Sequence, residues 1–136
     1  MKTSMISNMK ENTYQGGCHC GAIRFRFYLN DAIENETISS CNCSMCEKTG
    51  YLHLIVAKQH FKLTSDWQEL SNYQFNKKIA QHYFCKSCGI KSFYQPRSHP
   101  ECWSINVRCL DGFSDINFRI KNFDGKNWEQ NIHSIR

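Results

Sequence analysis

Seven of the nine cysteines fall into three tight clusters: Cys18-His-Cys20, Cys41-Asn-Cys43-Ser-Met-Cys46 and Cys85-Lys-Ser-Cys88. Thiolates this close in sequence converge on one ion at little cost in chain entropy, which is what a tetrahedral metal site requires. Seven ligands divide into four plus three. Four close a structural zinc site, whereas three leave a position for water or a substrate. The count predicts one stapling zinc and one working zinc.

Each cluster has its own reading. Cys85-x-x-Cys88-Gly89 suits a zinc knuckle, where the chain turns sharply and glycine tolerates a positive φ. The rival, a redox dithiol, belongs at a helix start in a βαβ unit, and here the flanks 79–84 and 91–94 read as strands. Cys18 and Cys20 stand two apart before a strand, so both point to one side. With Cys85 and Cys88 they complete a four-sulfur site. Cys41, Cys43 and Cys46 wrap one face of an ion and leave the fourth vertex free, with an iron–sulfur cluster as the alternative. Cys102 and Cys109 read as small buried hydrophobes, Cys109 on a strand over 103–110. The histidines, His19, His53, His60, His82, His99 and His133, read as solvated or core residues. None stands at a spacing that selects it as a fourth ligand, though His53 follows the triple-cysteine loop closely and His99 lies in a polar break.

The elements that must hold these ligands read as strands. Ile23, Phe25, Phe27 and Leu29 alternate with Arg24, Arg26 and Tyr28, the pattern of a strand with one buried face. Further strand candidates are 53–57, 61–64, 70–75, 79–84, 91–94, 103–110 and 116–123. Short strands about ten residues apart indicate an antiparallel all-β domain. Helix is scarce: a turn after Cys43-Ser44 and a short piece near 127–132. Residues 1–13, rich in Ser, Thr, Asn and Lys, are expected to be a flexible lead-in, and 14–136 a single domain.

Composition removes several function classes. No run of 18 apolar residues exists, which argues against a membrane span. The polar start has no apolar signal region, so a cytoplasmic protein is expected, in which nine cysteines are metal ligands and buried thiols rather than disulfides. The formal charge of +5 falls to about +2 once seven thiolates and two Zn2+ are counted. Lys and Arg are scattered, so nucleic acid is not an expected partner.

The motifs Gly17-Cys-His-Cys-Gly-Ala-Ile-Arg-Phe25, Cys41-Asn-Cys-Ser-Met-Cys-Glu-Lys48 and Phe84-Cys-Lys-Ser-Cys-Gly-Ile-Lys-Ser-Phe-Tyr94 resemble the glutathione-dependent formaldehyde-activating (GFA) family. Tyr73-Gln-Phe-Asn76, Phe93-Tyr-Gln-Pro-Arg-Ser98 and Cys109-Leu-Asp111 are most similar to its centromere protein V branch. The resemblance implies a β-tent, small antiparallel sheets stapled by zinc. It implies a structural zinc on Cys18, Cys20, Cys85 and Cys88, and a catalytic one on Cys41, Cys43 and Cys46. The implied activity is a carbon–sulfur lyase or synthase of the S-(hydroxymethyl)glutathione synthase type, joining formaldehyde or a related aldehyde to a thiol such as glutathione. A tris-thiolate zinc carries about −1, so capturing a thiol and lowering its pKa suits it better than activating water. Arg97, taken first, and Lys91 and Arg108 are the candidate holders of the glutathione carboxylates. The partners expected are a small-molecule thiol and an aldehyde, and a homodimer is left open. Two alternatives stand: an enzyme on the same scaffold using another thiol, and a non-catalytic zinc module for a protein partner, with both sites closed and no adjoining cleft.

Overall fold

The structure, a computed structural model, describes residues 12–75 and 80–127. The expected lead-in falls mostly on residues 1–11, and the terminal helical piece and His133 fall mostly beyond 127, outside the described residues. Ten strands follow in order: β1 (Thr13–Gly17), β2 (Arg24–Tyr28), β3 (Thr37–Cys41), β4 (Leu52–Ala57), β5 (Phe61–Leu63), β6 (Leu70–Tyr73), β7 (Gln81–Cys85), β8 (Phe93–Gln95), β9 (Cys102–Asn106) and β10 (Arg119–Phe123). One short α-helix, α1 (Ser44–Thr49), lies between β3 and β4, and short 3-10 turns fill several connections. The protein is all-β, as the spacing of its apolar runs predicts.

The strands form a three-stranded sheet, β1-β2-β5, and a seven-stranded sheet in the order β10-β3-β4-β9-β8-β7-β6. All pairs are antiparallel except β10 with β3, which run parallel. That exception refines the expectation of purely antiparallel sheets. After β9 the chain turns through 3-10 segments at Val107–Cys109 and Phe113–Asp115, then enters β10 in the direction of β3. The same turn corrects the placement of Cys109, expected on a strand. The Asn106 side chain accepts the Arg108 N–H at 3.2 Å, which caps a 3-10 turn and ends β9 before Cys109.

The core lies between the sheets. On β2, Phe25 and Phe27 are buried while Arg26 and Tyr28 face solvent, as the alternation requires. Phe25 reaches Phe61 and Phe93 at ring separations of 5.7 and 6.4 Å, joining the small sheet to the large one. Ile38, Leu54, Ile105 and Val107 close the apolar layer. Each such side chain is worth about 1.5–3 kcal/mol of burial, so the sheets are held as firm platforms for the loops at their ends.

Candidate metal centres

The structure brings all seven clustered cysteines together in the two groups that their spacing suggests. The sulfurs of Cys18, Cys20, Cys85 and Cys88 lie within 4.8 Å of one another, and so do those of Cys41, Cys43 and Cys46. Cys18 and Cys20 stand in the turn between β1 and β2; Cys85 ends β7 and Cys88 lies in the turn that follows. The Cys18–Cys20 and Cys20–Cys85 sulfur separations are both 3.6 Å. A tetrahedron with zinc–sulfur bonds near 2.3 Å has edges of about 3.8 Å, so the four-sulfur group fits a zinc ion closely. Backbone N–H groups face the sulfurs: Ile23 donates to Cys18 Sγ at 3.2 Å and Cys88 to Cys85 Sγ at 3.5 Å. Gly89 has φ +79°, the left-handed conformation that lets the knuckle turn back as Cys85 donates to the Ile90 carbonyl at 3.0 Å. With four sulfurs mutually in reach, this site is complete.

The three-sulfur group is built at the joint between β3 and α1. Cys41 ends β3, Cys43 is the N-cap of α1 with its sulfur accepting the Cys46 N–H at 3.4 Å, and Cys46 sits in the helix's first turn, 4 % exposed. The parallel neighbour β10 pairs Phe123 with Cys41, and the Asn42 N–H donates to the Phe123 carbonyl at 3.2 Å. That pairing lays Gly125 against the loop, where a β-carbon would overlap Cys41 Sγ and crowd Cys43. Gly125→Ala is therefore expected to weaken metal binding at this group about tenfold or more, in the range for disturbing a ligand's support. Chelator competition would read it, with the four-sulfur site as the unaffected internal reference.

The electrostatics also fit a cation. Hydrogen bonds from the Cys41 and Cys46 side chains hold the Cys43 thiol down at about 2, while hydrogen bonds with Cys41 and Cys43, together with burial, push Cys46 far above the usual thiol range. Cys41 is also pushed up, chiefly by Cys43. Three sulfurs this close cannot all ionise beside one another unless a positive ion replaces the shared protons.

Behind Cys46 stands His53 on β4. Its Nε2 lies 3.1 Å from Cys46 Sγ, and its Nδ1 lies 3.0 Å from Ser104 Oγ and 3.3 Å from the Tyr94 hydroxyl. Burial, with the nearby Lys91 cation second, holds its pKa down at about 3, so the ring is neutral. Beside a Cys46 thiolate, a neutral ring must carry its proton on Nε2 and donate to sulfur, and Nδ1 then accepts from Ser104 or Tyr94. His53 is outside the group whose donor atoms are all mutually within 4.8 Å. Its place is behind a ligand rather than in the ligand set. His99 belongs to neither sulfur group, and its Nδ1 lies 2.9 Å from Ser98 Oγ.

A cleft of about 560 Å3 opens on this second group, lined by Cys41, Cys46, Glu47, Arg108, Asn122 and Asp124 among others. Arg108 is fixed at its rim by Nε donating to the Gly50 carbonyl at 2.9 Å. Arg97, the first candidate for a carboxylate holder, lies in the bend after β8 and is not among the residues lining the cleft. Lys91 is buried away from the cleft wall. Cys102 lies on β9, half-buried, and Cys109 in its turn, with no part in either group. Sequence reading did not single out Tyr51, Tyr94 or Gly125. The available signal was a histidine interrupting the apolar run of β4 seven residues after Cys46.

Two comparisons with known proteins bear on this geometry. The family model described as glutathione-dependent formaldehyde-activating enzyme matches residues 13–126. A crystal structure of a Rhodobacter sphaeroides protein is similar to this chain at a TM-score of 0.66 and 32% identity, over 76% of this chain and 90% of that one.

Proposed function

This chain belongs to the glutathione-dependent formaldehyde-activating enzyme family, and from that premise we propose that it joins formaldehyde or a related aldehyde to a thiol of the glutathione type, and runs the reverse cleavage. The observation that carries this reading is the cleft opening on a group of three sulfurs, where a fourth ligand has room to arrive. A non-catalytic module would need neither the cleft nor an incomplete ligand set. Motif likeness supports the centromere protein V-like branch as part of the same proposal, and the length and the polar start of the sequence support a single domain over 14–136 and a cytoplasmic setting. No helix among the described residues is long and apolar enough to cross a membrane.

The reaction is an addition without net oxidation. A carbon–sulfur bond forms, the carbonyl π bond breaks, and the thiol proton ends on the new hydroxyl oxygen. Cys41, Cys43 and Cys46 would hold a Zn2+ ion whose chemistry is to bind a thiol and hold it as the thiolate. Around that group, the chain supplies position and charge. His53 orients Cys46 through its Nε2–H, itself held by Ser104 and Tyr94. Gly125 lets the segment after β10 lie directly against Cys41 and Cys43. Arg108 offers a guanidinium at the rim for a carboxylate, while Glu47 and Asp124 line the cleft where an α-ammonium would sit. A tripeptide thiol with two carboxylates and one ammonium matches that distribution better than a small neutral thiol.

Exchange kinetics of glutathione with formaldehyde, followed by NMR, test the proposal. A rate above the uncatalysed reaction is expected. A rate equal to it, and unchanged in Cys43→Ala, contradicts the proposal. Arg108→Ala is expected to raise KM for glutathione by roughly tenfold, the loss of one exposed charge-assisted contact, while leaving a small thiol such as mercaptoethanol unaffected. An equal loss with both thiols would remove Arg108 from substrate recognition.

A further inference from the structure

Lys91 is a buried cation that the proposed reaction does not use. It is 6 % exposed, on the segment between the Cys88 turn and β8, and its backbone carbonyl is held by Asn106 Nδ2 at 3.1 Å. Its Nζ lies 3.9 Å from the centre of the Tyr94 ring and 4.9 Å from that of Tyr51, and 2.7 Å from His82 Nδ1. No carboxylate pairs with it among the described residues. Two aromatic faces and a neutral imidazole compensate only part of the cost of burying a cation.

The second sulfur group lies just beyond these rings. Tyr51 and Tyr94, whose rings cradle Nζ, also pack on His53 at ring separations of 4.4 and 5.6 Å, and His53 Nε2 touches Cys46 Sγ. Lys91 is thus one layer of side chains behind the ligands and is not among the residues lining the cleft, though Tyr51, which it faces, is. Burial brings its pKa down to about 8, and the charges of Cys46, Cys43 and Cys41 act in the opposite direction, favouring the ammonium. The coupling is reciprocal: whatever these thiolates do for the ammonium, the ammonium does for negative charge at their centre.

We propose that Lys91 is a positioning counter-charge that makes the Cys41–Cys43–Cys46 centre prefer an anionic thiolate over a neutral ligand at its open position. A divalent ion on three thiolates carries about −1, and a fourth thiolate takes it to about −2. In a dry, low-dielectric setting that second charge is costly, and a fixed cation behind the ligands offsets it without occupying the cleft. The substrate thiolate gains from this field, while an uncharged competitor such as imidazole or water gains nothing. The inference rests on the reading of the three cysteines as a metal centre with an open position.

The test uses the full chain loaded with Co2+, whose sulfur-to-metal absorption reports each ligand that binds. Mercaptoethanol and imidazole are titrated separately, at one pH, into the wild type, Lys91→Met and Lys91→Gln. Methionine removes a buried charge at similar volume, and glutamine keeps a donor for His82, so two neutral replacements are available if one does not fold. Both are expected to lose about tenfold or more in mercaptoethanol affinity and to keep imidazole affinity within about twofold. Equal losses for the two ligands, or no loss for either, overturn the counter-charge. If the wild type takes no Co2+ at these cysteines, the metal-centre reading fails and the inference with it; if it does and ligand preference is unchanged in the variants, only the inference fails.

Discussion

Cys85→Ser is expected to leave a chain that does not complete its fold. Cys85 is 0 % exposed, at the end of β7, and its sulfur lies 3.6 Å from that of Cys20, 65 residues earlier in the chain. Cys20 belongs to the turn of the small sheet and Cys85 to the large one, so the four-sulfur group ties the two sheets beside their shared core. Structural zinc contributes on the order of 10–16 kcal/mol in small zinc domains, against about 5–15 kcal/mol of total stability for an ordinary domain. A serine oxygen in place of one thiolate removes much of that contribution and leaves a polar group in an apolar pocket. Thermal unfolding followed by circular dichroism should show no cooperative transition, or one lowered by more than about 15 °C. A transition within a few degrees of wild type would mean that the group is not a staple.

Cys43→Ser is expected to do the reverse: abolish chemistry and spare the fold. Cys43 is partly exposed at the N-terminus of α1, away from the joint between the sheets. Serine is itself a favourable N-cap and can still accept the Cys46 N–H, so the helix keeps its start. What is lost is the thiolate that the group's own hydrogen bonds favour most strongly. Activity should fall by at least about a hundredfold, toward the uncatalysed rate, while the melting temperature moves by only a few degrees. A variant that loses stability as severely as Cys85→Ser would erase the distinction between the two groups.

The parts of the fold legible in the sequence are those whose signal is local. Phe25 and Phe27 against Arg26 and Tyr28 mark β2 by alternation, and the apolar run through Leu54 and Val56 marks β4. The cysteine groups are legible because each pair or triplet is closed within a few residues, so the chain can hardly avoid presenting them together. β1 and β3 carry no such mark. The sequence TYQGG of β1 ends in two glycines that read as a turn, yet they are there because backbone packs too close for side chains: a β-carbon on Gly17 would strike the Ile23 carbonyl. β3 reads TISSC, with one apolar residue, and is a strand because β4 and β10 flank it.

Long-range register explains the rest of the site. His82 pairs with Tyr94 across β7 and β8, Tyr94 with Ser104 across β8 and β9, and His53 lies on β4 beyond them. That row of polar side chains across four strands links Lys91 to Cys46, and no local pattern in any one strand announces it. Gly125 reaches Cys41 only through the parallel pairing of β10, and a parallel neighbour cannot be read from a hairpin-like succession of strands. Residue type alone cannot separate Arg97 from Arg108 as a carboxylate holder. The cleft is lined by Arg108 because the 3-10 turn after β9 returns toward Gly50.

The division into a closed group and an open one is tested most directly by cadmium NMR of the full chain loaded with cadmium in place of zinc. Two signals of equal intensity are expected, one unmoved by added glutathione and the other shifted as the fourth position fills, with only the second missing in Cys43→Ser. A single signal, or two signals that both ignore glutathione, would contradict the account.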